Sequence, residues 1–324
     1  MGVYSKKCVE IGGFLELEKY KGEEYYSNLI ALNTARNALL YVIKTKKIEK
    51  LYIPTYICSA IIGVLERAQI KYVFYGIGRD FLPNFSGQIG ENEAIYIVNY
   101  YGMLNCDNIK QLKSEYGNII VDNAQAFFAK PIEGIDTIYS CRKFFGVSDG
   151  AYLSTDRFID ENLETDVSYE RMFHILGRYE KSAHEFYKEF RKVEESFDEL
   201  PLMFMSKLTT NMMRKIDYLE CRTKRTNNFI SYNQGLKDIN LLKIRNIEGA
   251  YAYPLYLENA QELREKMIRE RIYISLLWPN VTSGIDENDM ALEYSKNILP
   301  LPCDQRMNAE DIERIMKFIL SEYR

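Results

Sequence analysis

Residues 118–155 read N-I-I-V-D-N-A-Q-A-F-F-A-K-P-I-E-G-I-D-T-I-Y-S-C-R-K-F-F-G-V-S-D-G-A-Y-L-S-T. Three short apolar runs in this stretch, at 119–121, 137–139 and 151–153, have the length and content of buried strands. Polar residues follow them: Asp122 directly after the first, Ser140 and Lys143 after the second. In open α/β sheets, ligands sit in the crevice outside the carboxyl ends of the strands. An acid, a glutamine (Gln125), a serine and a lysine at such ends mark this segment as the candidate active site.

Working outward, N-T-A-R-N-A-L-L-Y-V-I-K opens a helix that Asn33 or Thr34 can cap, with Leu39, Leu40 and Ile43 as its apolar stripe. Strand and helix signals then alternate. K-L-Y-I-P is a strand, residues 60–65 lie in a helix and K-Y-V-F-Y is a second strand. A loop rich in Gly, Pro and Asn spans 76–93, followed by A-I-Y-I-V-N-Y-Y-G as a strand with a polar end and N-I-K-Q-L-K-S-E-Y as an amphipathic helix. This rhythm predicts an α/β fold, a doubly wound and mostly parallel sheet with helices on both faces.

Residues 158–238 change character and predict two long charged helices, E-K-S-A-H-E-F-Y-K-E-F-R-K-V-E-E-S-F and M-M-R-K-I-D-Y-L-E-C-R-T-K-R-T-N-N-F, with Pro201 as a break between them. The end of the chain predicts a smaller α/β unit. It contains the strand A-Y-P-L-Y-L, an Asn-capped helix N-A-Q-E-L-R-E-K-M-I-R-E-R, the strand I-Y-I-S-L-L-W and a terminal helix capped by Asn308. The expected division is a large domain over 1–235, including the N-terminal arm, and a small one over 236–324.

Composition narrows the function classes. The chain has 324 residues, 47% of them hydrophobic and 27% charged, which suits a soluble globular protein. A formal net charge of −4 offers no basic field for nucleic acid or an acidic membrane. The basic clusters at 44–50 and 222–225 read as solvated helix faces. Six scattered cysteines without C-x-x-C, and two histidines far from most of them, argue against a structural zinc site and a disulfide framework. Reduced thiols, no apolar signal core at the N-terminus and no membrane-length apolar run together predict a cytoplasmic protein that binds neither membrane nor nucleic acid.

Several motifs in one order carry a resemblance. V-D-N-A-Q-A is similar to E-D-A-A-Q-A of the DegT/StrS-type sugar aminotransferases, a family of fold-type I pyridoxal-phosphate enzymes. N-Y-Y-G-M-L-N-C-D-N-I resembles that family's H-x-Y-G and the turn and helix after it. Y-P-L-Y-L-E-N-A-Q-E-L-R-E resembles its small-domain opening, and L-P-L-P-C-D-Q-R-M-N-A-E-D-I-E-R-I its closing motif. The chain departs from the family in being short, in lacking two residues of the proline-threonine region, and at four further places. Ser140 and Lys143 stand two residues closer than in S-F-H-x-x-K, Ser148 to Ala151 read S-D-G-A in place of G-D-G-G, Ala35-Arg36 replace G-T, and Asn99 stands where histidine is common.

The resemblance implies pyridoxal 5′-phosphate as cofactor and Lys143 as the catalytic residue. That lysine would hold the cofactor as a Schiff base and then, once displaced, carry the substrate proton. On its own the residue reads equally as an exposed loop lysine beside Arg142. Asp122 would face the pyridinium nitrogen and keep the ring an electron sink, or cap a helix. Gln125 would lie over the ring, or be a polar residue of a first helical turn. Ala35 and Arg36 would bind the phosphate through helix-terminal N–H groups, with the Arg36 side chain either joining them or facing solvent. Ser140 would donate to the phosphate, or simply end a strand. Tyr56 aligns with a cofactor-contacting aromatic and also reads as core. Ser206 and Asn211 correspond to residues that reach a partner subunit's phosphate, or are loop polarity. The family's activity implies a homodimer with sites at the subunit interface, transferring an amino group from an amino acid donor, glutamate, to a keto-sugar that is nucleotide-linked. A dehydratase or lyase on the same fold and a non-catalytic cofactor-binding protein are the alternatives. A plain nucleotide-binding domain lacks its G-x-G-x-x-G.

Overall fold

The computed structural model describes residues 11–281 and 288–323. The described residues begin with an arm at 11–29 that forms no helix or strand, and then run β1 (Ile30–Leu32), α1 (Ala35–Lys46), β2 (Lys50–Pro54), α2 (Ser59–Arg67), β3 (Lys71–Ile77) and β4 (Pro83–Asn84). It continues through β5 (Glu93–Val98), α3 (Cys106–Tyr116), β6 (Ile119–Asp122), β7 (Asp136–Ser140) and β8 (Ala151–Ser154). Four helices follow: α4 (Phe173–Glu180), α5 (Tyr187–Ser196), α6 (Lys207–Met213) and α7 (Tyr218–Leu236). The last elements are β9 (Ala252–Tyr256), α8 (Ala260–Arg269), α9 (Ala291–Asn297), β10 (Ile298–Pro302) and α10 (Ala309–Glu322).

Eight strands form one sheet in the order β1-β8-β7-β6-β5-β2-β3-β4. Strands β2, β3, β5, β6 and β7 are mutually parallel, while β8 runs antiparallel to both its neighbours, β7 and β1. The doubly wound reading therefore stands, with an antiparallel strand near one edge and the short β4 at the other. From β2 the chain steps outward to β3, then returns to β5 on the other side of β2 and continues to β6 and β7. Right-handed crossovers in opposite directions place α2 and α3 on opposite faces. The stepping direction from β1 to β2 matches that from β2 to β3, so α1 shares the face of α2 and packs beside it. Central strands covered on both faces must be apolar throughout, as Ile95, Ile97, Ile119, Ile120, Val121 and Ile138 are, each almost wholly buried.

A second core joins α7, β9, β10, α8 and α10 through Phe229, Tyr232, Leu255, Leu263, Leu301 and Ile315. A third is aromatic, built from Tyr26, Phe127, Tyr139, Phe144, Phe145 and Tyr152. No helix among the described residues is long and apolar enough to cross a membrane.

The structure corrects several expected elements. The 180–197 helix is cut: α4 stops at Glu180 and α5 starts at Tyr187. Between them the Ser182 N–H and hydroxyl both donate to Glu185 Oε1, at 3.3 and 3.0 Å, a local turn that competes with helix. The next helix is cut in the same way before Asp217, whose carboxylate accepts from Glu220 N–H at 2.8 Å and caps α7 afresh. Asn259 precedes α8 but makes no side-chain cap: it is left-handed (φ 56°), and Asn297 Oδ1 accepts the Ala260 N–H instead. Residues 272–278 form no strand. Ile272 and Ile274 are buried and Tyr273 is exposed, so the alternation is real, but β9 pairs with β10. The 76–93 loop contains β4, paired to β3. Arg225 is not on a solvated face; it is 1% exposed.

Candidate active site

The carboxyl ends of β1, β2, β5, β6 and β7 share one edge of the sheet, and the amino end of the reversed β8 joins them there. That topology brings Thr34 to Arg36, Tyr56, Asn99, Asp122 to Gln125, Ser140 to Lys143 and Asp149-Gly150 to one side of the molecule.

Asp122 is the last residue of β6, opposite Val98 and Ile138. Its Oδ1 accepts from the Ala124 N–H at 2.7 Å and its Oδ2 from the Tyr96 hydroxyl at 2.8 Å. Burial raises the carboxyl above its ordinary range, against the pull of the Lys143 ammonium, the Ala124 amide and the Tyr96 hydroxyl. Tyr96 itself is held well above a phenol's usual range by burial and by that carboxylate, so it stays a donor.

The next turn is ordered by Asn99, whose amide donates to Asn123 Oδ1 at 2.9 Å and whose Oδ1 accepts the Leu104 N–H at 2.8 Å. Gln125 Oε1 accepts from the N–H of Tyr101, a non-glycine residue at φ 55°. Strain of this kind persists only where the surroundings impose it. Gln125 Nε2 is buried with no hydrogen-bond partner among the described residues. A buried amide donor left unpaired costs free energy that a ligand acceptor would recover.

Lys143 lies in the turn after β7 and is exposed, with Nζ 5.5 Å from the centre of the Tyr251 ring. Its charge acts on the Asp122 carboxyl through space, and no ion pair within 4.0 Å joins the two. Ser140 is buried at the end of β7, opposite Ala151. Thr34 caps α1 by accepting the Asn37 N–H at 3.0 Å, which leaves the N–H groups of Ala35 and Arg36 without intrahelical acceptors. The Arg36 guanidinium is engaged elsewhere: it pairs with Asp198 at 3.1 Å and lines a groove of about 480 Å³ with Leu40, Val64 and Phe197. Neither of its expected roles, anion ligand or solvent-facing charge, is the contact observed. Tyr56 is enclosed, 5.3 Å from the ring of Tyr100 and 4.4 Å from that of Trp278, so the core reading describes its packing.

The S-D-G-A turn backs this edge. Asp149, fully buried, accepts from Ser206 N–H at 2.8 Å, from Ser206 Oγ at 2.7 Å and from Thr209 Oγ1. Ser206 thus serves its own chain. So does Asn211, which holds the arm by accepting the Tyr20 N–H at 2.9 Å and donating to the Glu18 carbonyl at 2.8 Å. Gly150 has φ +114°, and a Cβ there would lie 3.0 Å from Thr209 Cγ2 and 3.2 Å from Cys141. Gly150→Ala should therefore cost about 2–4 kcal/mol of stability, strain and overpacking together, read as a lowered urea midpoint.

Sequence reasoning missed Tyr96, Tyr251 and Arg225. Tyr96 carried a signal, a polar-tipped residue inside a buried strand. The other two depend on long-range packing.

No protein-family model matches the chain, and no curated protein matches it in sequence. Solved structures do match in shape. A DegT DnrJ EryC1 StrS aminotransferase from Brucella abortus superposes with a TM-score of 0.63 at 16% identity, over 91% of this chain and 86% of that one. This chain has the sugar aminotransferase fold. The sugar aminotransferase CalS13 from Micromonospora echinospora gives 0.62 at 12% identity over 91% and 87%. PseC of Helicobacter pylori, an aminotransferase of pseudoaminic acid biosynthesis, gives 0.61 at 14% over 90% and 86%.

Proposed function

We propose that this protein is a pyridoxal-phosphate-dependent aminotransferase acting on a keto-sugar. The observation that carries the reading is the placement of Asp122, at the end of β6, and Lys143, in the turn after β7, at one sheet edge, together with a buried Gln125 amide that has no partner among the described residues. These groups fit the cofactor. Asp122 would take the ring nitrogen, Lys143 the aldehyde carbon, and Gln125 would lie over the ring with its amide free to donate to an oxygen substituent. Ser140 and the N–H groups of Ala35 and Arg36 would take the phosphate. When bound, pyridoxal phosphate supplies a carbonyl that accepts an amine and a ring that withdraws electrons.

The chain's own residues do the rest. Asp122 would face the ring nitrogen, with both oxygens already fixed by Ala124 and Tyr96. Lys143, at the end of a long side chain carried on a turn, would take a proton from the substrate carbon and hold it at Nζ. Tyr251 forms one wall beside the lysine. The amino donor in this reading is glutamate and the acceptor is nucleotide-linked. The working form is a cytoplasmic homodimer whose sites adjoin the subunit interface, each chain divided near residue 235 into a cofactor lobe and a smaller lobe.

Adding pyridoxal phosphate to the purified protein should produce a visible absorbance band, and borohydride should fix the cofactor on the peptide containing Lys143. Attachment at another lysine, or no band, would remove the assignment.

A further inference from the structure

Arg225 is a fully buried arginine whose hydrogen-bond partners among the described residues are all uncharged. Its Nε donates to Gln305 Oε1 at 2.8 Å, one terminal nitrogen to the Ala250 and Tyr251 carbonyls at 3.0 and 3.4 Å, and the other to the Phe144 carbonyl at 3.0 Å. The guanidinium also lies 4.5 Å from the centre of the Phe144 ring. Gln305 closes the figure: its amide donates to the same Phe144 carbonyl at 2.8 Å. Burying a guanidinium with no carboxylate in hydrogen-bond contact is costly, and Asp304 acts on this one only through space. The turn it reaches is 141–145, where the N–H groups of Phe144 and Phe145 both donate to the Cys141 carbonyl, at 3.0 and 2.9 Å. Lys143 sits inside that turn. The carbonyl that receives both donors belongs to the residue after it, and Tyr251, the other backbone held by Arg225, carries the ring facing its ammonium.

We infer that Arg225 and Gln305 form a latch that positions Lys143, tying its turn to α7 and to the segment after β10. The inference rests on the function proposed above for Lys143. A positioning role follows from geometry, because neither latch residue contacts Nζ, while both fix the backbone on which Nζ is carried. Catalysis is sensitive to displacements of this kind, which lower turnover more than binding.

Arg225→Ala would remove a donor from four acceptors and risks unfolding, so the informative change is Gln305→Glu. The new carboxylate keeps a partner for the Arg225 Nε and adds an ion pair, but it cannot donate to Phe144. The expected result is a thermal midpoint equal to or above wild type. Hydrogen exchange at the Phe144 and Phe145 amides should be about tenfold faster, since local opening need not follow global stability. With pyridoxal phosphate and the amino donor, kcat should fall about tenfold at unchanged donor KM, and Gln305→Asn should recover part of it. Unaltered exchange at these amides would overturn the latch. Faster exchange with unaltered kcat would overturn its positioning role. Wild-type protein that fixes no cofactor on Lys143 would instead overturn the proposed function, and the exchange measurement would still judge the latch.

Discussion

Lys143→Ala should abolish covalent cofactor attachment and lower transamination by about 10³-fold or more, at the upper part of the range for a positioned acid–base group, since the same side chain is also the attachment point. Stability should scarcely change. Lys143 is exposed, makes no ion pair within 4.0 Å among the described residues and meets only the Tyr251 ring at 5.5 Å. An exposed side chain of this kind contributes within about 0.5 kcal/mol. The two measurements therefore separate chemistry from folding: the urea midpoint should match wild type while borohydride leaves no cofactor on the chain. Residual turnover should rise when a small free amine is supplied, because the amine replaces a base and not a contact. Wild-type turnover in this variant would assign the chemistry to another group.

The parts of this site that were legible in the sequence are those fixed by local order along the chain. Asp122 and Ser140 end buried strands and Lys143 lies in the turn after one, and a parallel sheet sends all such ends to one edge. The parts that were not legible depend on register and packing. That Tyr96 reaches Asp122 follows from β5 lying beside β6, which no local pattern states. Arg225 sits in a run of basic residues that reads as a solvated face, and its burial is decided by β9, by Gln305 and by the lysine turn, far away in sequence. Residues 272–278 show the converse. Their alternation reports which side chains face the core, and β10 supplies the pairing that alternation alone suggested they would make. The broken helices were readable in principle. S-x-x-E at Ser182 and D-x-x-E at Asp217 are start signals, and the charged amphipathic pattern around them masked the stops.

Asp122→Asn should behave in the opposite sense in folding and in function. Burial raises the Asp122 carboxyl above its ordinary 3.8, with Lys143, the Ala124 amide and the Tyr96 hydroxyl opposing that rise. The folded chain therefore holds this proton more tightly than the unfolded chain does. Its contribution to stability is fully present below the unfolded value and is lost as pH rises through the folded one. Asparagine has no such proton to lose. The cofactor-free variant should thus be at least as stable as wild type at pH 7 and should lack this part of the decline above pH 3.8. Its side chain can still accept from Ala124, and the Tyr96 hydroxyl can turn to accept from the new amide. Function should fall nonetheless. A neutral amide cannot hold a proton on the ring nitrogen, and removing one preorganised charge contact of this kind costs about 10²–10³-fold in kcat, at 1.36 kcal/mol per decade. Cofactor should still attach to Lys143, because Ser140 and the first turn of α1 are untouched. A variant that is more stable without cofactor, still labelled on Lys143 and slow in turnover would place Asp122 at the ring. Equal turnover, or a loss of stability at pH 7, would assign the carboxylate to holding the end of β6.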